Sequence, residues 1–231
     1  MEKKLKDLHE RLQHNDRLCR LLSLMSLFFQ SSSKQKNNTT TECESNEKNN
    51  SEVVLIKNSK ICIIKKNSKH LSVTFDLINN NVPLNNIIDF PVFKLIYDLN
   101  QDIYDFLDFK IIDSNTAVLF ALYKNLLKDL GGRQRYMYAR ITKKNQGDKV
   151  FFETVPIYLD KDKLPYTVPD KAYQSCFINT TIFHIISPSH VKYTQNVIFD
   201  EAEFTSTIMT RVIASFIKKI YLRTKEFIEK M

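Results

Sequence analysis

Residues 134–159, "QRYMYARITKKNQGDKVFFETVPIYL", contain two stretches rich in aromatic and β-branched residues on either side of "KKNQGD". The central six residues favour a turn, so the pattern predicts a β-hairpin with strands at 134–142 and 149–159. Successive side chains of a strand point to opposite faces of a sheet. One face of the first strand is therefore expected to be apolar, and the other to carry tyrosine and arginine.

Similar stretches predict strands on both sides of this hairpin. They are "VVLIK" (53–57), "KICIIKK" (60–66) and "HLSVTFDL" (70–77) before it, and "CFIN", "TIFHIIS" and "VKYTQNVIF" after it. The chain then closes with an amphipathic helix, predicted from about Ala202, which would expose basic residues such as Lys225.

Two helices are predicted between the early strands and the hairpin. Asp89 would cap the first, with a proline in its first turn, and that helix would extend past Phe106 with a stripe of aspartates outside. The second would run over 114–130, and Gly131 and Gly132 would end it. A phosphate-binding loop places its glycines before a helix, so a phosphate site is not expected here.

Strands in runs with helices segregated from them predict an α+β fold, an antiparallel sheet with a C-terminal amphipathic helix. The globular body would span 53–231, with a sub-boundary near residue 131 left open. Residues 31–52 contain no aromatic or aliphatic side chain, which predicts a disordered polar linker. Residues 1–30 are expected to form a separate helical assembly segment.

The N-terminal helix has a coiled-coil-like apolar seam, broken by one asparagine, that widens towards its end. A helix with so many apolar positions is expected to be buried by a partner. The predicted partner-binding residues are Leu5, Leu8, Leu12, Leu22, Met25 and Phe28. The apolar run 21–29 is too short to span a bilayer, and the acidic residues before it are unlike a signal peptide.

Composition excludes several classes of protein. The chain of 231 residues has only three glycines, which argues against glycine-rich nucleotide loops. Its four cysteines form no closely spaced pair, so neither a zinc site nor a disulfide framework is expected. No catalytic signature is present, and His184, His190 and Cys176 are interpreted as structural. We therefore expect no enzyme activity and no cofactor.

A net charge of +8 favours an acidic partner or surface. Tyrosines on a sheet can stack on bases while arginines neutralise phosphates, but such a face equally suits a protein interface. Both alternatives stay open for one set of residues. The set comprises Arg133, Arg135, Tyr136, Tyr138 and Arg140 of the hairpin with Lys218, Lys219 and Arg223 of the closing helix.

The segments "YMYARI" and "KVFFETVPIYLD", together with the layout of helix, tether and α+β body, resemble the tandem-RWD subunits of the inner kinetochore, the centromere protein O and P type. The resemblance implies a nuclear, chromosome-associated subunit of a cell-cycle complex at the centromere. It also implies pairing with other protein subunits through the N-terminal helix and a sheet surface.

The expected function is therefore that of a non-enzymatic, intracellular scaffold subunit, with a nuclear location. It would have no membrane partner and no small-molecule substrate. The alternative is a nucleic-acid-binding accessory protein that uses the basic hairpin and the C-terminal helix.

Overall fold

The computed structural model describes residues 52–125, 133–175, 177–199 and 207–231. Within these residues a single sheet of ten strands dominates the fold. The strands are β1 (Val53–Lys57), β2 (Cys62–Lys65), β3 (His70–Ile78), β4 (Tyr104–Ile111), β5 (Thr116–Tyr123), β6 (Arg135–Gln146), β7 (Lys149–Pro156), β8 (Tyr173–Gln174), β9 (Phe177–Ser187) and β10 (His190–Phe199).

The strands lie in the order β1-β2-β3-β10-β9-β7-β6-β5-β4, and every neighbouring pair in this order is antiparallel. The short β8 pairs with β6 in parallel. The hairpin expected from the sequence is β6 and β7, joined where Gln146 pairs with Lys149. Gly147 makes this tight turn at a φ of 60°, a conformation that costs glycine little.

In the described ranges two α-helices, α1 (Phe90–Asp98) and α2 (Thr207–Glu229), accompany the sheet. Asp89 caps α1 as expected, because its carboxylate accepts a hydrogen bond of 2.7 Å from the backbone N–H of Phe90. Short 3-10 helices occupy Leu84–Asn86, Gln101–Ile103 and Lys161–Lys163. No helix within the described residues is long and apolar enough to cross a membrane.

The main core lies between both helices and one face of the sheet, which we call the inner face. Phe93 of α1 stacks on Phe152 of β7 with ring centroids 4.7 Å apart. Tyr193 of β10 stacks on Phe75 of β3 at 4.5 Å, and Tyr221 of α2 lies against both rings. Aromatic contacts of this kind add to the free energy gained by burying the rings.

A second, smaller core covers the outer face of the sheet. It contains Phe120, Leu122, Tyr136 and Ala172, and the chain between β7 and β8 packs over it. Tyr166 from that segment stacks on Phe120 at 4.2 Å, and its hydroxyl donates to the Asp108 carboxylate at 2.6 Å. Strands β5 and β6 are therefore covered on both faces.

The α+β class, the antiparallel sheet and the C-terminal helix are confirmed, whereas both predicted central helices are wrong in part or in whole. The first ends at Asp98, and residues beyond it form a 3-10 turn and β4, so the expected aspartate stripe does not exist. The second is strand β5. Its run "TAVLFALY" is apolar on both faces, and periodicity alone cannot distinguish such a strand from a buried helix.

Some expectations fall outside the described residues. They are the helical segment 1–30, the linker up to residue 51, the glycine pair 131–132 and the start of the closing helix at 202. Within the described part of that helix one expectation is wrong. Lys225 is buried, because its ammonium donates to the Asp76 carbonyl and to the Glu229 carboxylate.

Candidate ligand cavity

A cavity of about 220 Å³ lies between the inner face of the sheet, α1 and α2. Its lining is mainly aliphatic and aromatic. The lining residues are Leu71, Val73, Phe93, Ile96, Tyr97, Ile103, Tyr104, Tyr123, Met137, Phe177, Asn179, Gln195, Val197, Phe199, Phe216, Ile217, Ile220 and Tyr221.

Helix α2 is held unevenly along its length. Phe216, Ile217 and Ile220, which line the cavity, are only half-buried, whereas Tyr221 and Ile228 further along are buried. This second half is fixed to the sheet by the Lys225 contacts and by the side-chain amide of Asn79, which donates a hydrogen bond of 2.7 Å to the carbonyl of Ile228. The helix therefore bridges the cavity and is anchored beyond it.

A polar link also joins α2 to the chain after α1. Arg223 pairs with the carboxylate of Asp102 at 2.7 Å, and donates to the side-chain oxygen of Asn100 at 3.2 Å. Burial alone would raise the pKa of Asp102, but the hydrogen bond and charge of Arg223 hold it below its ordinary value. Arg223 and Asp102 thus neutralise each other beside α2.

Four tyrosines line the cavity, namely Tyr97, Tyr104, Tyr123 and Tyr221. Burial raises the pKa of each: that of Tyr123 rises to about 12, with the charge of Arg135 opposing the shift, and those of the other three also rise well above the ordinary value. Their hydroxyls are therefore neutral at physiological pH. Among the described residues that line the cavity, none carries a formal charge.

Polar side chains interrupt the inner face on three neighbouring strands. Thr154 of β7, Asn179 and Thr181 of β9, and Gln195 of β10 are all buried there. Asn179 and Gln195 line the cavity, and Thr154 lies directly across the strand pair from Asn179. The Oγ1 of Thr154 and the Oδ1 of Asn179 have no hydrogen-bond partner within the described residues. Buried polar groups in this condition are unusual in native proteins.

The sequence did not point to these residues. The only signal is that Asn179 and Gln195 stand at inward positions of strands whose other inward residues are mostly apolar. A polar residue at such a position breaks the alternation expected of a half-buried strand. Recognising it requires knowing which face of each strand is inward, and the three-dimensional pairing decides that.

The residues proposed as a basic surface are not brought together by the fold. Tyr136 is only 3% exposed and Tyr138 half-buried, since both belong to the second core on the outer face. Arg140 is exposed on that face. The helix that carries Lys218, Lys219 and Arg223 packs on the inner face instead.

The arginines near the start of β6 have intramolecular contacts. Arg133 and Arg135 lie 5.1 and 5.2 Å from the ring centroid of Tyr173, and Arg133 also donates to the Lys171 carbonyl at 2.8 Å. Both therefore help to fix the segment that covers the second core. The six apolar residues proposed in the N-terminal helix lie outside the described residues.

The histidines considered for catalysis lie on neighbouring strands, His184 within β9 and His190 at the start of β10. His184 pairs with Asp148 at 2.6 Å and His190 with Asp76 at 2.9 Å, whereas Cys176 lies outside the described residues. No cluster that could hold a metal ion occurs in the part of the chain that the structure describes. The two pairs lie in the loops and strand ends beyond the main core.

Comparison with known proteins gives a fold and no sequence family. No protein-family model matches the chain, and no curated protein sequence matches it significantly. Human StAR-related lipid transfer protein 5 superposes with a TM-score of 0.53 at 7% identity, over 93% of this chain and 96% of that one. Human STARD10 superposes with a TM-score of 0.50 at 10% identity, over 79% of this chain and 74% of that one.

These likenesses overturn the expectations that depended on the kinetochore resemblance. The hairpin and the general layout are common to many α+β proteins, and the RWD resemblance is wrong. The expected centromere scaffold with coiled-coil assembly, the nucleic-acid-binding alternative and the absence of a small-molecule ligand are corrected by the same finding. The chain has the helix-grip fold of StAR-related lipid transfer domains.

Proposed function

We propose that this protein binds a lipid or a similarly apolar small molecule in the cavity beneath α2, and carries it without converting it. The observation that carries the proposal is a cavity with an uncharged, mainly apolar lining, bounded by a sheet and one long helix. The fold supports it, since a protein of the same fold is named as a lipid transfer protein.

The lining explains why an apolar ligand would enter. Each Å² of apolar surface removed from water contributes about 25 cal/mol, so a ligand enclosed by these side chains gains affinity without any charged contact. The volume of about 220 Å³ lies below the range of roughly 300–1,000 Å³ typical of pockets for drug-sized ligands. The cavity therefore suits a short chain, and a larger lipid requires α2 to move outwards.

Carriage is favoured over catalysis by the residue types present. General acid–base and nucleophilic catalysis use histidine, cysteine, serine, lysine, tyrosine or carboxylates close to the bound substrate. Of these types, the described lining residues include only tyrosine. Its hydroxyl groups are those of the buried tyrosines, whose raised pKa values make them poor nucleophiles.

The test measures binding of the neutral fluorophore 1-aminoanthracene and its displacement by lipids extracted from cells. Ile217→Trp places an indole in the cavity, and Ser215→Trp, at an exposed position of the same helix, is the matched control. We expect binding by the wild type and the control and a loss of at least tenfold in affinity for Ile217→Trp. Equal binding by a folded Ile217→Trp variant, or none by the wild type, contradicts the proposed function.

A further inference from the structure

We infer that the ligand carries an uncharged hydroxyl group, which binds to a polar patch formed by Thr154, Asn179 and Gln195 on the inner face of the sheet. The inference rests on the proposed function and specifies its ligand class. It excludes lipids that would bring a carboxylate or phosphate into the cavity.

The positions of the three residues are fixed by the register of the sheet. Thr154 of β7 is the direct cross-strand partner of Asn179 of β9, and Asn179 in turn lies across from Val197, two residues beyond Gln195 on β10. All three point to the inner face, where they are 0%, 2% and 6% exposed. Asn179 and Gln195 line the cavity, whereas Thr154 is outside the lining and lies next to Asn179 on the neighbouring strand. Directly opposite side chains have their Cβ atoms about 4.5–5.5 Å apart, so one small polar group can contact two of them.

The unpaired atoms indicate what that polar group must supply. The Asn179 Oδ1 is an acceptor and needs a donor, whereas the Thr154 hydroxyl can donate or accept. A ligand hydroxyl also both donates and accepts, so it can satisfy both atoms at once. An ether or ester oxygen only accepts and leaves the Asn179 oxygen unpaired.

The surroundings of the patch argue against a charged head group. An ionised group leaves water only at great cost unless a counter-charge or several hydrogen bonds receive it. The part of the cavity wall that the structure describes offers no lysine, arginine or histidine. On the adjoining part of α2, Arg223 is already paired with Asp102, and Lys218 and Lys219 are not among the lining residues.

Three probes with the same alkyl chain separate these possibilities. Decan-1-ol, decyl methyl ether and decanoate at pH 8 each compete with bound 1-aminoanthracene on the full-length chain. One net hydrogen bond corresponds to a roughly two- to tenfold change in affinity. We expect decanol to bind two- to tenfold more tightly than the ether, and at least tenfold more tightly than decanoate.

The double variant Asn179→Leu with Thr154→Val removes the two unpaired polar groups of the patch, leaves Gln195 in place and keeps side chains of similar shape. We expect it to bind 1-aminoanthracene like the wild type and to lose the preference for decanol over the ether. Thr180→Val, one residue away on the outer face of β9, is the control and should keep that preference. Should the double variant fail to fold, Thr154→Val alone gives the same comparison with a smaller change.

Two results overturn the inference and leave the proposed function standing. The first is an affinity for decanoate equal to that for decanol. The second is equal binding of decanol and the ether to the wild type, which would mean that water makes the hydrogen bonds of the polar patch. A protein that binds neither the fluorophore nor any probe contradicts the proposed function itself, and the inference with it.

Discussion

Replacing Thr154 by valine should make the ligand-free protein more stable. The substitution exchanges a hydroxyl for a methyl group of nearly the same size and keeps the branching at Cβ, so strand preference changes little. The side chain is fully buried, and its hydroxyl has no hydrogen-bond partner among the described residues. An unsatisfied buried hydroxyl costs about 1–3 kcal/mol, and the free energy of unfolding should rise by about that amount. For a chain of this length, each 1 kcal/mol raises the melting temperature by about 2–4 °C.

The assay is urea denaturation followed by far-ultraviolet circular dichroism, on protein from which bound lipid has been extracted. Thr180→Val serves as the control, because Thr180 is half-buried on the outer face of the neighbouring strand. Its free energy of unfolding should change by no more than about 0.5 kcal/mol. A loss of about 1 kcal/mol or more in Thr154→Val would refute the reasoning, since it would mean that the hydroxyl is hydrogen-bonded in the ligand-free protein.

Three further predictions concern α2, acid stability and the chain boundary. Lys225→Met removes the charged hydrogen bonds that anchor α2 and should lower the free energy of unfolding by about 1.5–3 kcal/mol in urea denaturation, whereas the exposed Lys230→Met should have little effect. Arg223 lowers the pKa of Asp102 below 3.8, so the pair stabilises the fold above this pH, and this stabilisation is lost as the pH falls through the lowered pKa of the folded protein. In an acid titration, the free energy of unfolding of Asp102→Asn should therefore fall less steeply below about pH 4 than that of the wild type. A chain of residues 52–231 should fold and bind 1-aminoanthracene as the full chain does, and an insoluble product would place the preceding residues in the fold.

Much of the sheet could be predicted from the sequence because its strands alternate or are bounded by turn residues. The first three strands, the β6–β7 hairpin, β9, β10 and the closing helix fall close to their expected positions. The errors lie in β4 and β5, for two physical reasons. The aspartates near β4 also fit a helical stripe, and β5 is covered on both faces, which removes the alternation that would have identified it.

The candidate site could not be predicted in the same way. The tyrosines of β6 were expected on an exposed face, but the segment between β7 and β8 covers them. No local sequence pattern predicts that contact. The cavity likewise combines α1, α2 and strands from both halves of the sheet. Asn179 indicates a polar site in the core only when the inward face of its strand is known. The helical segment 1–30, the six partner-binding residues proposed in it and the nuclear location stay predictions.

The pairing of β3 with β10 has a consequence for the synthesis of the chain. Strands β4 to β7, β9 and β10 are neighbours in the sheet in nearly the order in which they are made, and β1 to β3 form a second local group. Strands β3 and β10 cannot pair until β10 has left the ribosome, roughly 110 residues after β3. At 5–20 residues per second this takes about 5–22 s. During that interval the alternating apolar strand "HLSVTFDLI" presents an unpaired edge. The nascent chain is therefore most prone to aggregation before its last two strands emerge, and a chaperone acting on this protein would be needed in that interval.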